Sequence, residues 1–269
     1  MKGMFKKSFC LFLAVAIGIS IAGCGDEAIM KKIEKSGKLV VGTSADYAPY
    51  EYHTIINGKD TIVGFDISIV QEISKDLGIQ LEIVEMGLEG LLPALNTGDI
   101  DIVIAGMNPD EDRKKLADFS KIYYQAKQGV IVRTEDKNKI KTITDLSEKK
   151  VGAQLGTEQE KVAKEQIRAV SLVSLGKISE LVTQLKKKKI DALVVELPVA
   201  NEYVKKNNDL ALTGIAVKED TGGVAIAVKK GNSDLVELIN KSLDRLMTDG
   251  SIKKFVQEAS DKYETHKAK

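Results

Sequence analysis

Short apolar segments that alternate with amphipathic helical segments constrain the fold of this chain more than any other feature. Residues 38–43 (KLVVGT), 100–105 (IDIVIA) and 190–195 (IDALVV) are rich in β-branched and apolar side chains, which is typical of buried strands. Residues 66–77 and 178–188 instead repeat apolar side chains at helical spacing. Alternating units of this length predict an α/β fold in which mostly parallel sheets are flanked by helices.

A coarse duplication of this pattern predicts two lobes. Residues 89–105 contain a helical segment followed by an acidic and apolar strand, and residues 178–195 repeat this arrangement. Ligands of open α/β sheets bind beyond the carboxyl ends of the strands. Two lobes whose strand ends face each other therefore form a cleft, and closure of that cleft about a hinge encloses a small molecule.

The N-terminus has the features of an export signal. Lys2, Lys6 and Lys7 precede a stretch without charge over residues 8–21. This stretch is too short for a membrane-spanning helix and is followed by small residues, as in secretory signals. The sequence therefore predicts a protein that works outside the cytoplasm.

The four residues Ile21-Ala22-Gly23-Cys24 resemble a bacterial lipobox. That resemblance implies that residues 1–23 are a lipoprotein signal peptide and that Cys24 becomes the acylated N-terminus. Residues 24–36 are then expected to be a lipidated tether, and acyl chains such as palmitate hold the protein at the extracytoplasmic face of the cell membrane. The alternative is an ordinary cleaved signal followed by a chance cysteine.

The composition argues against several classes of function. The chain of 269 residues has 40 basic and 39 acidic side chains, and loss of the signal leaves 37 basic ones. This near-balance argues against nucleic acid as a partner. The histidines are His53 and His266 and the cysteines are Cys10 and Cys24, so the sequence predicts no metal site, no cofactor and no catalytic histidine.

A series of short motifs extends over about residues 38–263. In chain order they are Gly42-Thr43-Ser44, 47–51 (YAPYE), 64–67 (GFDI), 99–101 (DID), Asp112-Arg113, 118–120 (DFS), 151–157 (VGAQLGT), 190–192 (IDA) and 249–251 (DGS). In their order and spacing these motifs resemble the extracellular solute-binding proteins of polar amino acid ABC transporters, solute-binding protein family 3.

The resemblance implies a two-lobed periplasmic-binding-protein-like fold of type II, with the ligand in the interlobe cleft. Lobe 1 is expected to be discontinuous, over residues 37–126 and 221–265, and lobe 2 to comprise residues 127–220. Hinges are expected near 124–129 and 218–223. The resemblance further implies a monomeric binding protein, not an enzyme, that closes on a free polar amino acid and delivers it to a membrane permease driven by an ATPase subunit.

Two charged residues are implied to hold the charged groups of the amino acid. By the resemblance, Arg113 is the bidentate clamp for the ligand carboxylate, a task that suits the guanidinium fork. The alternative for Arg113 is a surface salt bridge with Asp110 or Glu111. Glu196 stands where the family usually has an aspartate for the ligand ammonium, and its alternative role is to stabilise the dipole of the following helix.

Three further residues are implied to contact the carboxylate end of the ligand. Thr157 begins a predicted helix, so its hydroxyl and the free N–H groups nearby can bind a carboxylate. The alternative is a capping box with Glu160, which competes for the same hydroxyl. Gly106 and Asn108 are implied to offer backbone and amide groups.

The side-chain end of the pocket leaves the ligand open. Tyr47 is implied to be an aromatic wall, whereas Leu88 stands where the second wall is commonly aromatic. Relatives that bind basic amino acids often have an acid where this chain has Ser44, and Glu51 and Asp46 are nearby alternatives for a cation. A basic ligand, arginine foremost, and a glutamine-like neutral ligand therefore both remain as hypotheses.

Two other classes of function share parts of this pattern. An enzyme on the same fold, similar to a cyclohexadienyl dehydratase, would need a positioned acid or base with a shifted pKa. His53 and His266 lie outside the motifs that carry the resemblance. A surface sensor or adhesin is the other alternative, and no signalling segment is recognisable in the chain.

Overall fold

The computed structural model describes residues 29–167, 171–218 and 222–265. The predicted signal peptide and the predicted acylation site Cys24 lie outside these described residues. Within the described ranges, no helix combines the length and the apolar character needed to cross a membrane.

The strands and α-helices alternate along the chain. The strands are β1 (Lys38–Thr43), β2 (Asp46–Tyr47), β3 (Glu51–Ile56), β4 (Lys59–Val63), β5 (Gln80–Glu85), β6 (Ile102–Val103), β7 (Ala117–Phe119), β8 (Gln128–Arg133), β9 (Lys150–Gln154), β10 (Ser171–Leu175), β11 (Ala192–Glu196), β12 (Leu210–Leu212) and β13 (Ala227–Lys229). The α-helices are α1 (Ile29–Ser36), α2 (Phe65–Leu77), α3 (Leu88–Thr97), α4 (Glu111–Leu116), α5 (Glu158–Val162), α6 (Ile178–Lys186), α7 (Leu197–Lys206), α8 (Ser233–Thr248) and α9 (Ser251–Thr265).

Two larger sheets have the same topology and form the centres of the two lobes. Their strand orders are β5-β1-β6-β13-β7 in the first sheet and β10-β9-β11-β8-β12 in the second. In the first sheet only β13 runs against its described neighbours, and in the second only β8 does. The predicted α/β class with mostly parallel sheets is therefore confirmed. We call the layers built on the first and second sheets lobe 1 and lobe 2.

In each sheet, the antiparallel strand is the first strand after the chain crosses from the other lobe. Strand β8 begins four residues after Tyr124, and β13 begins three residues after Val224. Tyr124 and Val224 pair as an antiparallel bridge, in which the Val224 N–H donates to the Tyr124 carbonyl at 2.9 Å. The two connections therefore run side by side between the lobes.

Three local features differ from the expectations. Strands β2, β3 and β4 form a small third sheet that was not predicted from the sequence. The helix expected after Thr157 is α-helical only to Val162 and continues as a π-helical turn over Ala163–Ile167. Part of the expected tether is folded as α1, because Ile29 and Ile33 are one turn apart and both are buried.

Candidate functional site

A small cavity lies between the carboxyl ends of the strands of the two lobes. Both lobes contribute to its lining, lobe 2 through β9 and α5. The lining residues are Ser44, Asp46, Tyr47, Glu51, Leu88, Ala105, Gly106, Met107, Asn108, Arg113, Gln154, Thr157 and Gln159. The structure thus brings together every predicted ligand-binding residue except Glu196.

Arg113 is held by the short helix α4 at the junction of the lobes. Asp110 is the N-cap of this helix and accepts hydrogen bonds from the backbone N–H groups of Asp112 and Arg113 at 3.0 and 2.9 Å. The Arg113 side chain is 9% exposed, so its charge is largely removed from solvent. Burial lowers the pKa of Arg113, and the nearby carboxylates of Asp110 and Glu158 oppose that shift.

The guanidinium of Arg113 contacts backbone carbonyl groups of both lobes. Its Nη1 donates to the Asn108 carbonyl at 3.0 Å, and its Nη2 donates to the Gly156 carbonyl at 2.8 Å. The alternative of a surface ion pair with Asp110 or Glu111 does not describe this geometry. The two hydrogen bonds that are described for this guanidinium go to uncharged carbonyl groups, so an anionic ligand in the cavity can still pair with its charge.

Glu51 places a fully buried carboxyl group in the same cavity. Among the described residues, no N–H or O–H group donates a hydrogen bond to either of its carboxyl oxygens. Burial, and then the neighbouring carboxyl of Asp66, raise the pKa of Glu51 well above its ordinary value. A buried acid in this state is costly to ionise unless a cation approaches it.

Asp46 is a second acid at the cavity and also joins the lobes. Its Oδ2 accepts a hydrogen bond at 3.2 Å from the backbone N–H of Ile178, the first residue of α6 in lobe 2. Its Oδ1 is buried and has no hydrogen-bond partner among the described residues. Burial raises the pKa of Asp46 to about 6.

Tyr47 forms a wall of the cavity because Gly106 has no side chain. Gly106 has a φ of 52°, and a Cβ atom there would lie 3.1 Å from the Tyr47 ring. The Gly106 N–H donates to Asp66 Oδ2 at 2.9 Å and is therefore engaged within lobe 1. The predicted backbone contact from Gly106 to a ligand stays a prediction.

Glu196 is fully buried at the end of β11, behind the cavity rather than in its lining. The hydroxyl of Tyr50 in lobe 1 donates a hydrogen bond to its carboxylate. Tyr50 was not among the predicted ligand-binding residues, although it belongs to the YAPYE motif. The predicted contact between Glu196 and a ligand ammonium stays a prediction.

Two predicted polar side chains are already engaged by the protein. The Thr157 hydroxyl donates to the Gln154 carbonyl at 2.6 Å and accepts from the Glu160 N–H at 3.3 Å, which is the capping geometry. The Asn108 amide donates to the Gly223 carbonyl at 3.0 Å. The hydroxyl proton of Thr157 and one amide N–H of Asn108 are therefore used within the protein.

The remaining wall is formed by uncharged side chains. Ser44, Leu88 and Gln159 line it, and the Gln159 amide donates to the Gln128 side chain at 3.0 Å. Gln154 and Met107 also line the cavity and were not predicted, and Met107 lies just beyond the predicted strand 100–105. In the parts of the chain that are described, no three His, Cys, Asp or Glu side chains are grouped to hold a metal ion.

The comparisons with known proteins agree on one family. The family described as "Bacterial extracellular solute-binding proteins, family 3" matches residues 39–262. The arginine-binding extracellular protein ArtP of Bacillus subtilis (strain 168) is 36% identical over 254 residues, which cover 93% of this chain and 96% of ArtP. The ABC transporter glutamine-binding protein GlnH of the same organism is 31% identical over 278 residues, which cover 96% of this chain and 98% of GlnH.

A solved structure shows the same fold. An amino acid ABC transporter substrate-binding protein from Streptococcus pneumoniae Canada MDR_19A, bound to L-arginine, superposes with a TM-score of 0.84 and 36% sequence identity. The match covers 87% of this chain and 98% of that protein. It confirms the predicted two-lobed, type II periplasmic-binding-protein-like fold.

Proposed function

Because the chain belongs to the bacterial extracellular solute-binding proteins, family 3, we propose that it is the substrate-binding protein of an ABC importer and captures a basic amino acid, L-arginine foremost. The observation that carries this proposal is the combination of groups in one cavity. A buried guanidinium, Arg113, and two acids with raised pKa values, Glu51 and Asp46, line the same cleft.

The charges of L-arginine complement those of the cavity. An amino acid carboxylate is expensive to desolvate unless it is paired, and Arg113 supplies the partner. The guanidinium of the ligand in turn supplies the positive charge that Glu51 and Asp46 lack. Glutamine satisfies Arg113 equally well but leaves both acids without a cation, so the cavity favours the basic ligand.

For the ligand ammonium we propose Glu196, with Tyr50 as the group that orients it. An ionised carboxylate accepts several hydrogen bonds, so Glu196 can receive the Tyr50 hydroxyl and an ammonium together. Thr157 and Asn108 would add backbone groups near the carboxylate. Ser44, Tyr47, Leu88 and Gly106 would shape the space for the side chain.

Closure about two hinges would enclose the ligand. We assign residues 37–126 and 221–265 to lobe 1 and residues 127–220 to lobe 2. The pairing of Tyr124 with Val224 supports hinges near these boundaries, because both connections pass the same point. The closed monomer would then dock on a membrane permease that is driven by an ATPase subunit.

A thermal-shift screen of the purified protein tests the ligand. The protein is unfolded and refolded to remove bound solute, and is then measured with each of the twenty amino acids, ornithine and citrulline. A ligand at a hundred times its dissociation constant stabilises the folded state by about 2.7 kcal/mol. We expect the largest shift with L-arginine. A shift with neutral amino acids alone would contradict the basic ligand, and no shift at all would contradict amino acid capture.

A turnover measurement separates a binding protein from an enzyme. We expect L-arginine to be recovered unchanged after prolonged incubation with the protein, as followed by mass spectrometry. Conversion of the bound molecule would contradict the proposed role and support the dehydratase-like alternative.

We also propose that Cys24 carries the lipid anchor and places the protein at the extracytoplasmic face of the cell membrane. The lipobox-like residues before Cys24 support this proposal. Growth with an alkyne analogue of palmitate should label the wild-type protein and leave the Cys24→Ser variant unlabelled. Absence of label from the wild-type protein would contradict the proposed anchor without affecting the proposed ligand.

A further inference from the structure

An ion pair at the rim of the cleft connects the two lobes. The Nζ atom of Lys161, on α5 of lobe 2, donates to Asp110 Oδ2 of lobe 1 at 2.9 Å. Lys161 does not line the cavity. It is partly exposed at the rim, whereas Asp110 is nearly buried.

Asp110 uses its two carboxylate oxygens for two different lobes. Oδ1 caps the first turn of α4 by accepting from the N–H groups of Asp112 and Arg113. Oδ2 is left for Lys161. Lys161 therefore holds the carboxylate that fixes the helix carrying Arg113.

The environment of Asp110 favours its ionised form. Burial works against ionisation, but the hydrogen bonds from the Arg113 N–H and from Lys161 outweigh it and lower the pKa of Asp110. An ion pair with one buried partner is screened less by salt than a fully exposed pair. The pair is therefore a suitable contact for stabilising one arrangement of the lobes.

We propose that Lys161 is a positioning residue that latches the closed lobes through Asp110 and so slows release of the bound amino acid. The proposal rests on the proposed function, since it concerns the residence time of that ligand. The two partners belong to different lobes, so hinge opening separates them. The latch therefore acts on the dissociation rate and not on the first encounter with the ligand.

The test compares two lysines that differ in where their partner lies. In Lys161→Gln the interlobe ion pair is lost, together with a longer contact to Asp112 at 4.0 Å, whereas Lys114→Gln removes a pair with Glu111 inside α4, at 2.9 Å. Association and dissociation of L-arginine are measured by stopped-flow fluorescence at low and high salt. We expect Lys161→Gln to raise the dissociation rate about three- to tenfold and to leave the association rate within about twofold. Lys114→Gln should behave as the wild type.

A double-mutant cycle with Asp110→Asn isolates the pair. Asparagine is also a good N-cap, so this substitution removes the charge and keeps an acceptor for α4. If the latch exists, the effects of Lys161→Gln and Asp110→Asn on the dissociation rate are not additive, and high salt reduces the difference from the wild type. Additive effects, or an unchanged dissociation rate in Lys161→Gln, would overturn the proposal.

The radius of gyration of the ligand-free protein tests the latch even if L-arginine is not the ligand. Absence of L-arginine binding to the wild type would contradict the proposed ligand alone. The radius of gyration of the ligand-free proteins, from small-angle X-ray scattering, then judges the latch. A larger radius in Lys161→Gln than in Lys114→Gln supports it, and equal radii overturn it.

Discussion

The Nη2 atom of Arg113 donates a hydrogen bond to the Gly156 carbonyl oxygen at 2.8 Å, and this bond joins the two lobes across the cleft. Arg113 belongs to α4 of lobe 1, whereas Gly156 precedes α5 of lobe 2. The same side chain therefore lines the cavity and contacts the opposite lobe. Under the proposed function, this guanidinium would connect ligand binding with closure.

Substitution of Arg113 should weaken binding of every amino acid. Removing a buried, charged partner costs about 2–5 kcal/mol, so Arg113→Ala should weaken L-arginine binding by about 30-fold or more. Arg113→Lys should recover only part of the loss, because an ammonium lacks the planar fork. Isothermal titration calorimetry gives both constants.

The control is Arg245→Ala, because Arg245 pairs with Asp76 on the outside of lobe 1 and lies far from the cavity lining. Its affinity should equal that of the wild type. Equal affinities in Arg113→Ala and Arg245→Ala would rule out the carboxylate clamp.

Substitution of Glu51 should change the preference among ligands. Glu51→Gln keeps the size of the side chain and removes the acid that is proposed to face the ligand guanidinium. We expect L-arginine binding to weaken by about 30-fold or more, since a buried charge partner is lost. L-glutamine binding should change by less than about twofold, because a neutral ligand gains nothing from this charge. Equal losses for both ligands would show that Glu51 supports the cavity without selecting a cation.

Binding of L-arginine should depend on pH, whereas binding of L-glutamine should not. The pKa of Asp46 is raised to about 6, chiefly by burial, while the Ile178 N–H, Lys177 and Glu85 are its other influences. A bound cation favours the ionised carboxylate and lowers this pKa, so binding releases protons below the raised value. The affinity should therefore decline as the pH falls through about 6, where Asp46 takes up a proton, and the raised pKa of Glu51 adds a dependence in the same direction.

Calorimetry in buffers of different ionisation enthalpy measures the number of protons released. A positive release with L-arginine at about pH 6 and none with L-glutamine is the expected result. An affinity for L-arginine that does not change with pH would contradict the contact between the ligand cation and the acids.

The second connection between the lobes should tolerate no side chain at Gly223. Gly223 has a φ of 132°, and a Cβ atom would collide with the backbone carbonyl of Tyr124. We expect Gly223→Ala to lower the free energy of unfolding by about 1–3 kcal/mol, as measured in urea. Gly214→Ala is the matched control, because no atom lies within 4 Å of a Cβ there. Similar losses in both variants would contradict the steric argument.

Most helices and strands could be predicted from the sequence, because the residue types and spacings that favour them extend over only a few neighbouring residues. The strand 190–195 is apolar and β-branched, and Glu196 at its end is the last residue of β11. The hairpin of β3 and β4 was missed although its signal was present. Asn57 and Gly58 join these strands with φ values of 52° and 78°, and Asn-Gly is the preferred pair for such a turn.

The contacts between the lobes could not be predicted from periodicity. Asp46 contacts Ile178, Asn108 contacts Gly223 and Tyr50 contacts Glu196, and each pair is separated by more than one hundred residues. The residues next to a polar side chain in the sequence do not indicate which distant group it will contact in the fold. The capping alternative for the Thr157 hydroxyl could be stated from the sequence, because Glu160 is only three residues away. The hydrogen bond from the Asn108 amide to Gly223 could not be predicted, because these residues are far apart in the chain.

A crystal structure of the complex with L-arginine tests the central claim most directly. The account predicts that the ligand carboxylate lies within hydrogen-bonding distance of Arg113 and that the ligand guanidinium faces Glu51 and Asp46. A ligand bound in the reverse orientation, or bound outside this cleft, would contradict it.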